Sequence, residues 1–102
     1  MNARSAAEIL DDIAGFAPSD GSWLRLDDLL AELWATGVQA EHLPVLFRVF
    51  ERHPEDDGEG VLWSIVHGVE GLPFDYEAEL RASNDRQPSM MADIMLRRLS
   101  RA

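Results

Sequence analysis

The chain has 102 residues, of which 46% are hydrophobic, and its 19 Asp and Glu outnumber its 9 basic residues to give a formal net charge of −10. This length predicts one domain, residues 1–102, with a modest hydrophobic core. The lack of cysteine excludes disulfides, thiolate metal sites and thiol nucleophiles. No stretch approaches the length of a membrane span and the N-terminus lacks an apolar signal region, so we expect a cytoplasmic protein without a membrane partner.

The first two predicted helices lie in residues 6–13 and 26–33. In both segments apolar residues recur at spacings of three and four, as they do on the buried face of an α-helix. Ser5 and Glu8 have the spacing of a capping box, which would begin the first helix. Gly37 follows the second segment and is a plausible C-terminal stop.

The middle of the chain contains two further apolar segments separated by a polar one. Residues 43–50 repeat the helical spacing, and Pro44 fits only the first turn of such a helix. Residues 53–60 are the most polar stretch and predict a surface loop, and residues 62–69 predict a fourth helix. We expect the second and third helices to pack as an antiparallel hairpin around Gly37, like one unit of a HEAT-type array.

The last part of the chain predicts a short helix and a final one. Asp75 can cap a short helix over residues 76–83, and residues 87–89 precede a final helix over residues 91–99. Alternating strand patterns and hairpin turns are missing. The sequence therefore predicts an all-α fold, either a compact bundle or a HEAT-like stack of five to six short helices.

Residue patterns typical of catalytic and metal sites are missing. His67 and Glu70 are spaced so that both could project from one helix face, but no further ligands follow at a useful spacing. Ser64 lies inside a predicted helix, without the strained turn and oriented base that nucleophilic serines use. We therefore expect no catalytic residue, no metal, no cofactor and no enzymatic activity.

Two tryptophans fall outside the tightest apolar stripes. Trp23 and Trp63 could each be an exposed anchor for a partner, because buried aromatic anchors often dominate interfaces. The apolar residues before Trp63 favour its burial instead. The sequence leaves both alternatives open.

A longer pattern runs through the second half of the chain. It consists of residues 61–70 (VLWSIVHGVE), Tyr76-Glu77, Leu80, Ser83, Arg86-Gln87-Pro88-Ser89, Met95 and Arg98. In order and spacing it resembles small bacterial immunity proteins, the antidotes encoded beside polymorphic toxins of contact-dependent inhibition, Rhs and type VI secretion systems. The resemblance covers about residues 44–100 and leaves the first two predicted helices unmatched. It implies that the protein binds a cognate toxin stoichiometrically and occludes or distorts the toxin's active site.

The negative charge is concentrated in the first part of the chain. Residues 1–60 carry 13 acidic and 4 basic residues, whereas residues 61–102 carry 6 and 5. Such a surface repels nucleic acid and attracts basic partners, although the same charge also serves solubility alone. Because it repels nucleic acid, we predict no nucleic-acid partner. Because it attracts basic proteins, it would suit a basic toxin such as a nuclease, and we predict that it forms the toxin-binding surface. The predicted partner-binding residues are Glu51, Glu55, Asp56, Asp57, Glu59 and Trp63.

Four polar residues of the pattern are predicted to have a structural role. His67, Glu70, Tyr76 and Arg98 could form a network that ties the last three helices together, because buried polar groups require hydrogen-bond partners. The alternative is that the same residues contact the toxin. For the whole protein, the alternative function is an acidic helical adaptor or regulatory module for an endogenous partner.

Overall fold

Six α-helices make up most of residues 4–100, the part of the chain that this computed structural model describes. They are α1 (Ala6–Ala14), α2 (Leu24–Thr36), α3 (Leu43–Arg52), α4 (Leu62–Glu70), α5 (Glu77–Arg86) and α6 (Met90–Ser100). A 3-10 turn, Ala40–His42, leads into α3. The predicted all-α fold is therefore confirmed, and the described residues contain no strand beyond an isolated bridge between Ser19 and Ser22.

The helix ends follow the local signals in the sequence. Ser5 Oγ accepts the backbone N–H of Glu8 at 3.2 Å, and the Glu8 carboxylate accepts that of Ser5 at 3.1 Å, which completes the capping box. Gly37 ends α2 with φ of 105°, a conformation that favours glycine. The N-terminal end of α5 is held by Asp75, whose Oδ1 accepts the N–H of Glu77 at 2.9 Å. The helix runs on to Arg86 rather than stopping near residue 83.

The helices pack in a closed ring around one core. Helix α1 packs against α2 and α3, α3 against α5 and α6, and α4 bridges α2 and α6. The expected hairpin of α2 and α3 is therefore wrong, because α1 lies beside both. Residues 37–42, which include the 3-10 turn, connect α2 to α3. The fold is accordingly a compact bundle rather than a stack of hairpins.

One continuous core holds the ring together. The most completely buried large side chains are Ile9, Ile13, Leu26, Leu29, Leu30, Leu33, Leu43, Leu46, Phe47, Phe50, Leu62 and Ile65. In α6, Met91 and Met95 are buried, whereas Ile94 and Leu99 are only partly buried against the core. The radius of gyration of 13.1 Å agrees with the value of about 13 Å expected for 100 residues. Among the described helices, none has the length and hydrophobicity that crossing a membrane requires.

A glycine allows α2 and α4 to approach closely. The indole of Trp34 on α2 lies over Gly68 on α4, where a Cβ atom would be only 2.2 Å from Trp34 Cζ2. Gly68 lies within residues 61–70, the first segment of the longer pattern in the second half of the chain. Its role in this structure is to leave room for an aromatic ring.

Candidate partner-binding site

The acidic loop, residues 53–60, joins α3 to α4 and has a fixed backbone. Asp56 Oδ1 accepts the N–H of Gly58 at 2.8 Å, and Asp57 Oδ1 accepts the N–H of Glu59 at 3.1 Å. Three successive residues, Gly58, Glu59 and Gly60, have positive φ values of 61°, 53° and 90°. Each aspartate thus stabilises a tight turn through its own side chain. The predicted surface loop is confirmed, and the carboxylates of Glu55, Asp56, Asp57 and Glu59 are exposed.

The indole of Trp23 anchors the acidic loop to the start of α2. Its ring meets that of His53 edge-on at a centroid distance of 4.8 Å. Gly58 is buried beneath the same indole, and a Cβ atom there would be 2.9 Å from Trp23 Cε3. Trp23 is only 5% exposed, so the possibility that it is an exposed anchor is wrong. The reason is that the loop covers it, although Trp23 lies just before the apolar stripe of α2.

The other side of the loop is attached to α6. The carbonyl oxygen of Pro54 accepts the N–H of Met90 at 2.7 Å. Asn84 Oδ1 accepts the N–H of Ser89 at 3.0 Å, and the buried Ser89 Oγ accepts that of Ala92 at 3.2 Å. Residues 87–89 therefore lead into α6, and the backbone N–H of Met90, the first residue of α6, binds the acidic loop.

His53 should make the stability of the folded protein depend on pH. Burial, and after it the charge of Arg52, lowers the pKa of His53, while Asp56 opposes the shift. Its Nε2 atom is buried without a hydrogen-bond partner among the described residues. Because the unfolded chain binds the proton first, the free energy of unfolding should fall as pH decreases through about 6.5.

Replacement of His53 by phenylalanine tests this dependence. The variant keeps a ring against Trp23 and removes the titrating group, so its stability should change less between pH 7.5 and pH 5.5 than that of the wild type. Urea unfolding at the two pH values measures the difference. An identical pH dependence in both proteins would contradict the assignment to His53.

Nearly all arginines of the described residues are engaged by carboxylates away from the loop. Between residues 4 and 100, only Arg52 lacks a carboxylate partner, and it donates to the carbonyl of Ile13 at 3.0 Å. The ion pairs are Arg4–Asp12, Arg4–Glu32, Arg25–Asp12, Arg48–Glu51, Arg81–Glu77, Arg86–Glu51, Arg97–Asp93 and Arg98–Glu70. None of these pairs involves the exposed carboxylates of the acidic loop, whose negative charge is therefore left uncompensated by this part of the chain.

Glu51 is placed apart from the exposed carboxylates. Its side chain is only 10% exposed and accepts hydrogen bonds from Ser83 Oγ at 2.7 Å and Arg86 Nη2 at 2.8 Å. Burial by itself would raise the pKa of Glu51, but the hydrogen bonds from Arg86 and Ser83 outweigh it and leave the pKa below its ordinary range. The carboxylate thereby joins α3 to α5, two helices that the sequence places far apart.

Trp63 lies next to the acidic loop, in the first turn of α4. Its side chain is half-buried against the core, and its backbone N–H donates to the carbonyl of Gly60 at 3.2 Å. The exposed ring of His67 lies one turn further on, at a centroid distance of 5.7 Å. The two rings form a partly exposed aromatic pair on the outer side of α4.

The predicted polar network is smaller than the four residues proposed for it. Arg98 donates to both oxygens of Glu70, from Nε at 2.6 Å and from Nη2 at 2.9 Å, and so joins α6 to α4. Burial, followed by the charge of Glu70, raises the pKa of Tyr76, while the charge of Arg98 opposes the shift. His67 makes no hydrogen bond to the other three residues within the described chain, because its ring lies against Trp63.

Asp20 and Gly21 lie beside the acidic loop, and although the sequence predicts a turn at these residues, it does not mark them as part of the candidate site. Asp20 and Gly21 have φ values of 52° and 77°, as in a type I′ turn, and Ser22 N–H donates to the Ser19 carbonyl at 2.8 Å. This turn and the exposed Leu24 border a depression that Glu59 also lines. The predicted turn at Asp20 and Gly21 is therefore confirmed, whereas its proximity to residue 59 depends on the burial of Trp23 and could not be read from the sequence.

Within residues 4–100, no group of three or more His, Asp or Glu side chains is placed to hold a metal ion. The arrangement is instead one of exposed carboxylates on a fixed backbone, beside a partly exposed aromatic pair. No protein-family model matches the chain, and no curated protein or solved structure matches it significantly.

Proposed function

We propose that this chain is an immunity protein that binds a cognate secreted bacterial toxin with a basic surface, such as a nuclease, and neutralises it by stoichiometric occlusion. Two lines of argument support the proposal. The pattern in residues 44–100 resembles small bacterial immunity proteins, and the uncompensated charge of the acidic loop suits a basic partner.

The observation that carries the proposal is the group of exposed carboxylates at Glu55, Asp56, Asp57 and Glu59, which form no ion pair within residues 4–100. Proteins that cut nucleic acid are basic where they hold phosphate. Carboxylates on a rigid loop can take the place of phosphates and accept charge-assisted hydrogen bonds from arginines. The hydrogen bonds that Asp56 and Asp57 accept from the loop backbone restrict its conformations, which lowers the conformational entropy lost on binding.

Co-expression with the product of the gene immediately upstream tests the proposal. We expect that product to be toxic alone, to copurify with this chain in a one-to-one complex, and to allow growth when this chain is present. A harmless neighbour that forms no complex would contradict the proposal. It would favour the alternative of an acidic adaptor for an endogenous partner.

Removal of the loop charges should slow association with the toxin. The variant carries Glu55→Gln, Asp56→Asn, Asp57→Asn and Glu59→Gln, which keep the side-chain oxygens that accept backbone N–H groups. Because opposite charges steer encounter, we expect the association rate constant to fall about tenfold to a hundredfold at low salt, and its salt dependence to weaken. Stopped-flow fluorescence over a range of ionic strengths measures both quantities.

A matched variant separates the loop from the overall charge. It carries Asp11→Asn, Glu41→Gln, Glu79→Gln and Asp85→Asn, which remove the same charge from exposed positions outside the loop. We expect this control to associate much faster than the loop variant. Equal rates for the two variants would assign the attraction to net charge and not to the acidic loop.

A further inference from the structure

The first residue of α2 exposes an apolar side chain directly beside a buried one. Leu24 is 73% exposed, whereas Trp23 before it is 5% exposed. Among the large hydrophobic side chains of residues 4–100, Leu24 and Met90 are the exposed ones, and Met90 is exposed to only 40%. An exposed leucine gains free energy when a partner covers it, because apolar surface is then removed from water.

Leu24 borders a groove that both apolar and acidic residues line. The groove has a volume of about 380 Å³ and lies between residues 20–24 and residues 59–61. Trp23, Leu24 and Val61 supply its apolar part, while Asp20 and Glu59 supply a carboxylate on either side. Within residues 4–100, neither carboxylate belongs to an ion pair.

The backbone of both sides of the groove is fixed. Asp20 and Glu59 both have positive φ values, 52° and 53°, in turns that their neighbouring residues close with hydrogen bonds. Trp23 lies between the two turns and packs against Gly58. The fold therefore places the backbones of Asp20 and Glu59 in two defined turns, one on each side of Trp23.

We propose that this groove binds a segment of the partner in which an apolar side chain is flanked by arginine or lysine. The apolar side chain covers Leu24 and Val61, and the basic side chains reach Asp20 on one side and Glu59 on the other. The proposal rests on the proposed function, because it names the kind of toxin segment that the acidic surface recognises. Charge complementarity selects this occupant: a second copy of the chain, with its net charge of −10, would bring like charges together.

The groove and the acidic loop form one surface, because Glu59 belongs to both. The exposed loop carboxylates then attract a basic partner from a distance, while the groove supplies short-range apolar contact. Charge chiefly raises the rate of encounter, whereas buried apolar contact chiefly slows dissociation. The two parts of the surface should thus affect different rate constants.

An NMR titration with a synthetic peptide tests the groove without any toxin. The probe is an acetylated and amidated peptide of alternating arginine and leucine, added to the ¹⁵N-labelled full chain up to about 2 mM, a range suited to weak binding. We expect chemical-shift changes confined to residues 20–24 and 59–61. Two control peptides, with serine for leucine or with glutamate for arginine, should produce little change.

Substitutions in the chain provide the matched comparison. Leu24→Ser should weaken peptide binding about tenfold, since a leucine contact is lost from the interface, and Asp20→Asn should weaken it by a smaller factor. Met90→Ser removes the other exposed apolar side chain and should bind the peptide as the wild type does. The dispersion of each variant's spectrum shows whether its fold is intact.

Three outcomes would overturn the proposal. They are scattered or missing shifts with the arginine–leucine peptide, equal shifts with the serine peptide, and unchanged binding by Leu24→Ser. These outcomes leave the growth-rescue result untouched, so the groove and the proposed function fail separately. Binding confined to the groove, together with a failed growth rescue, would support the proposed binding site. It would also indicate that the partner is a basic protein other than a toxin.

Discussion

Replacement of Gly68 by alanine is expected to lower the free energy of unfolding by about 3 kcal/mol, at the upper end of the range for overpacking a close contact. The added Cβ atom would lie 2.2 Å from Trp34 Cζ2 and 2.5 Å from Trp34 Cε2, so α2 and α4 must separate or the indole must leave its site. Alanine has the higher helix propensity, but that gain is about 1 kcal/mol and cannot offset the clash. Chemical denaturation followed by far-UV circular dichroism measures the loss.

Gly71 provides a control for the Gly68 variant at the end of the same helix. A Cβ atom at Gly71 would lie 3.5 Å from the His67 carbonyl oxygen, an ordinary contact, and its φ of −85° suits any residue. Gly71→Ala should therefore leave stability unchanged or raise it slightly. A smaller side chain at position 34 should relieve the clash, so Trp34→Leu combined with Gly68→Ala should cost less than the sum of the two changes. Strict additivity would show that Trp34 is not the obstacle.

Replacement of Gly58 by alanine should lower the free energy of unfolding by about 2–3 kcal/mol, through left-handed strain and overpacking together. Gly58 has φ of 61°, and its added Cβ would lie 2.9 Å from Trp23 Cε3 and 3.1 Å from Leu62 Cγ. Relief of the clash must move the acidic loop away from the indole. We therefore also expect a red shift of tryptophan emission in the folded variant as Trp23 meets water.

Gly60 separates the two contributions at Gly58. It has φ of 90°, but a Cβ atom there would meet nothing within 4 Å. Gly60→Ala should thus carry the backbone strain alone, about 1 kcal/mol, without the emission shift. Equal losses in the two variants would mean that the contact between Gly58 and Trp23 does not hold the loop.

Local signals in the sequence were sufficient for the helices but not for their arrangement. The capping box at Ser5 and the glycine stop at Gly37 depend on neighbouring residues, and both are where the spacing predicted them. The position of α1 beside both α2 and α3 depends instead on how apolar faces match across the whole chain. No periodicity within a single segment contains that information.

The candidate site shows the same limit more strongly. The acidic loop could be predicted because four carboxylates and two glycines in eight residues form a surface loop in most settings. Glu51 lies only two residues before the loop, in α3, but Arg86, which is 35 residues away, binds its carboxylate. Similarly, the sequence left the exposure of Trp23 open, because the loop that covers it comes much later in the chain. Long-range partners of this kind follow only from the fold.

The way in which the acidic loop is attached has a consequence for how its specificity could change. Its course is set by the indole of Trp23 over Gly58 and by the hydrogen bond between the Pro54 carbonyl and the Met90 amide. The side chains of Glu55 and Glu59 take part in neither attachment, so many residues could replace Glu55, and residues that tolerate a φ of 53°, such as asparagine or glycine, could replace Glu59. Positions 56 and 57 need only a side-chain oxygen, which asparagine also supplies. The same scaffold can therefore present a new set of charges to a new partner while its own packing stays the same.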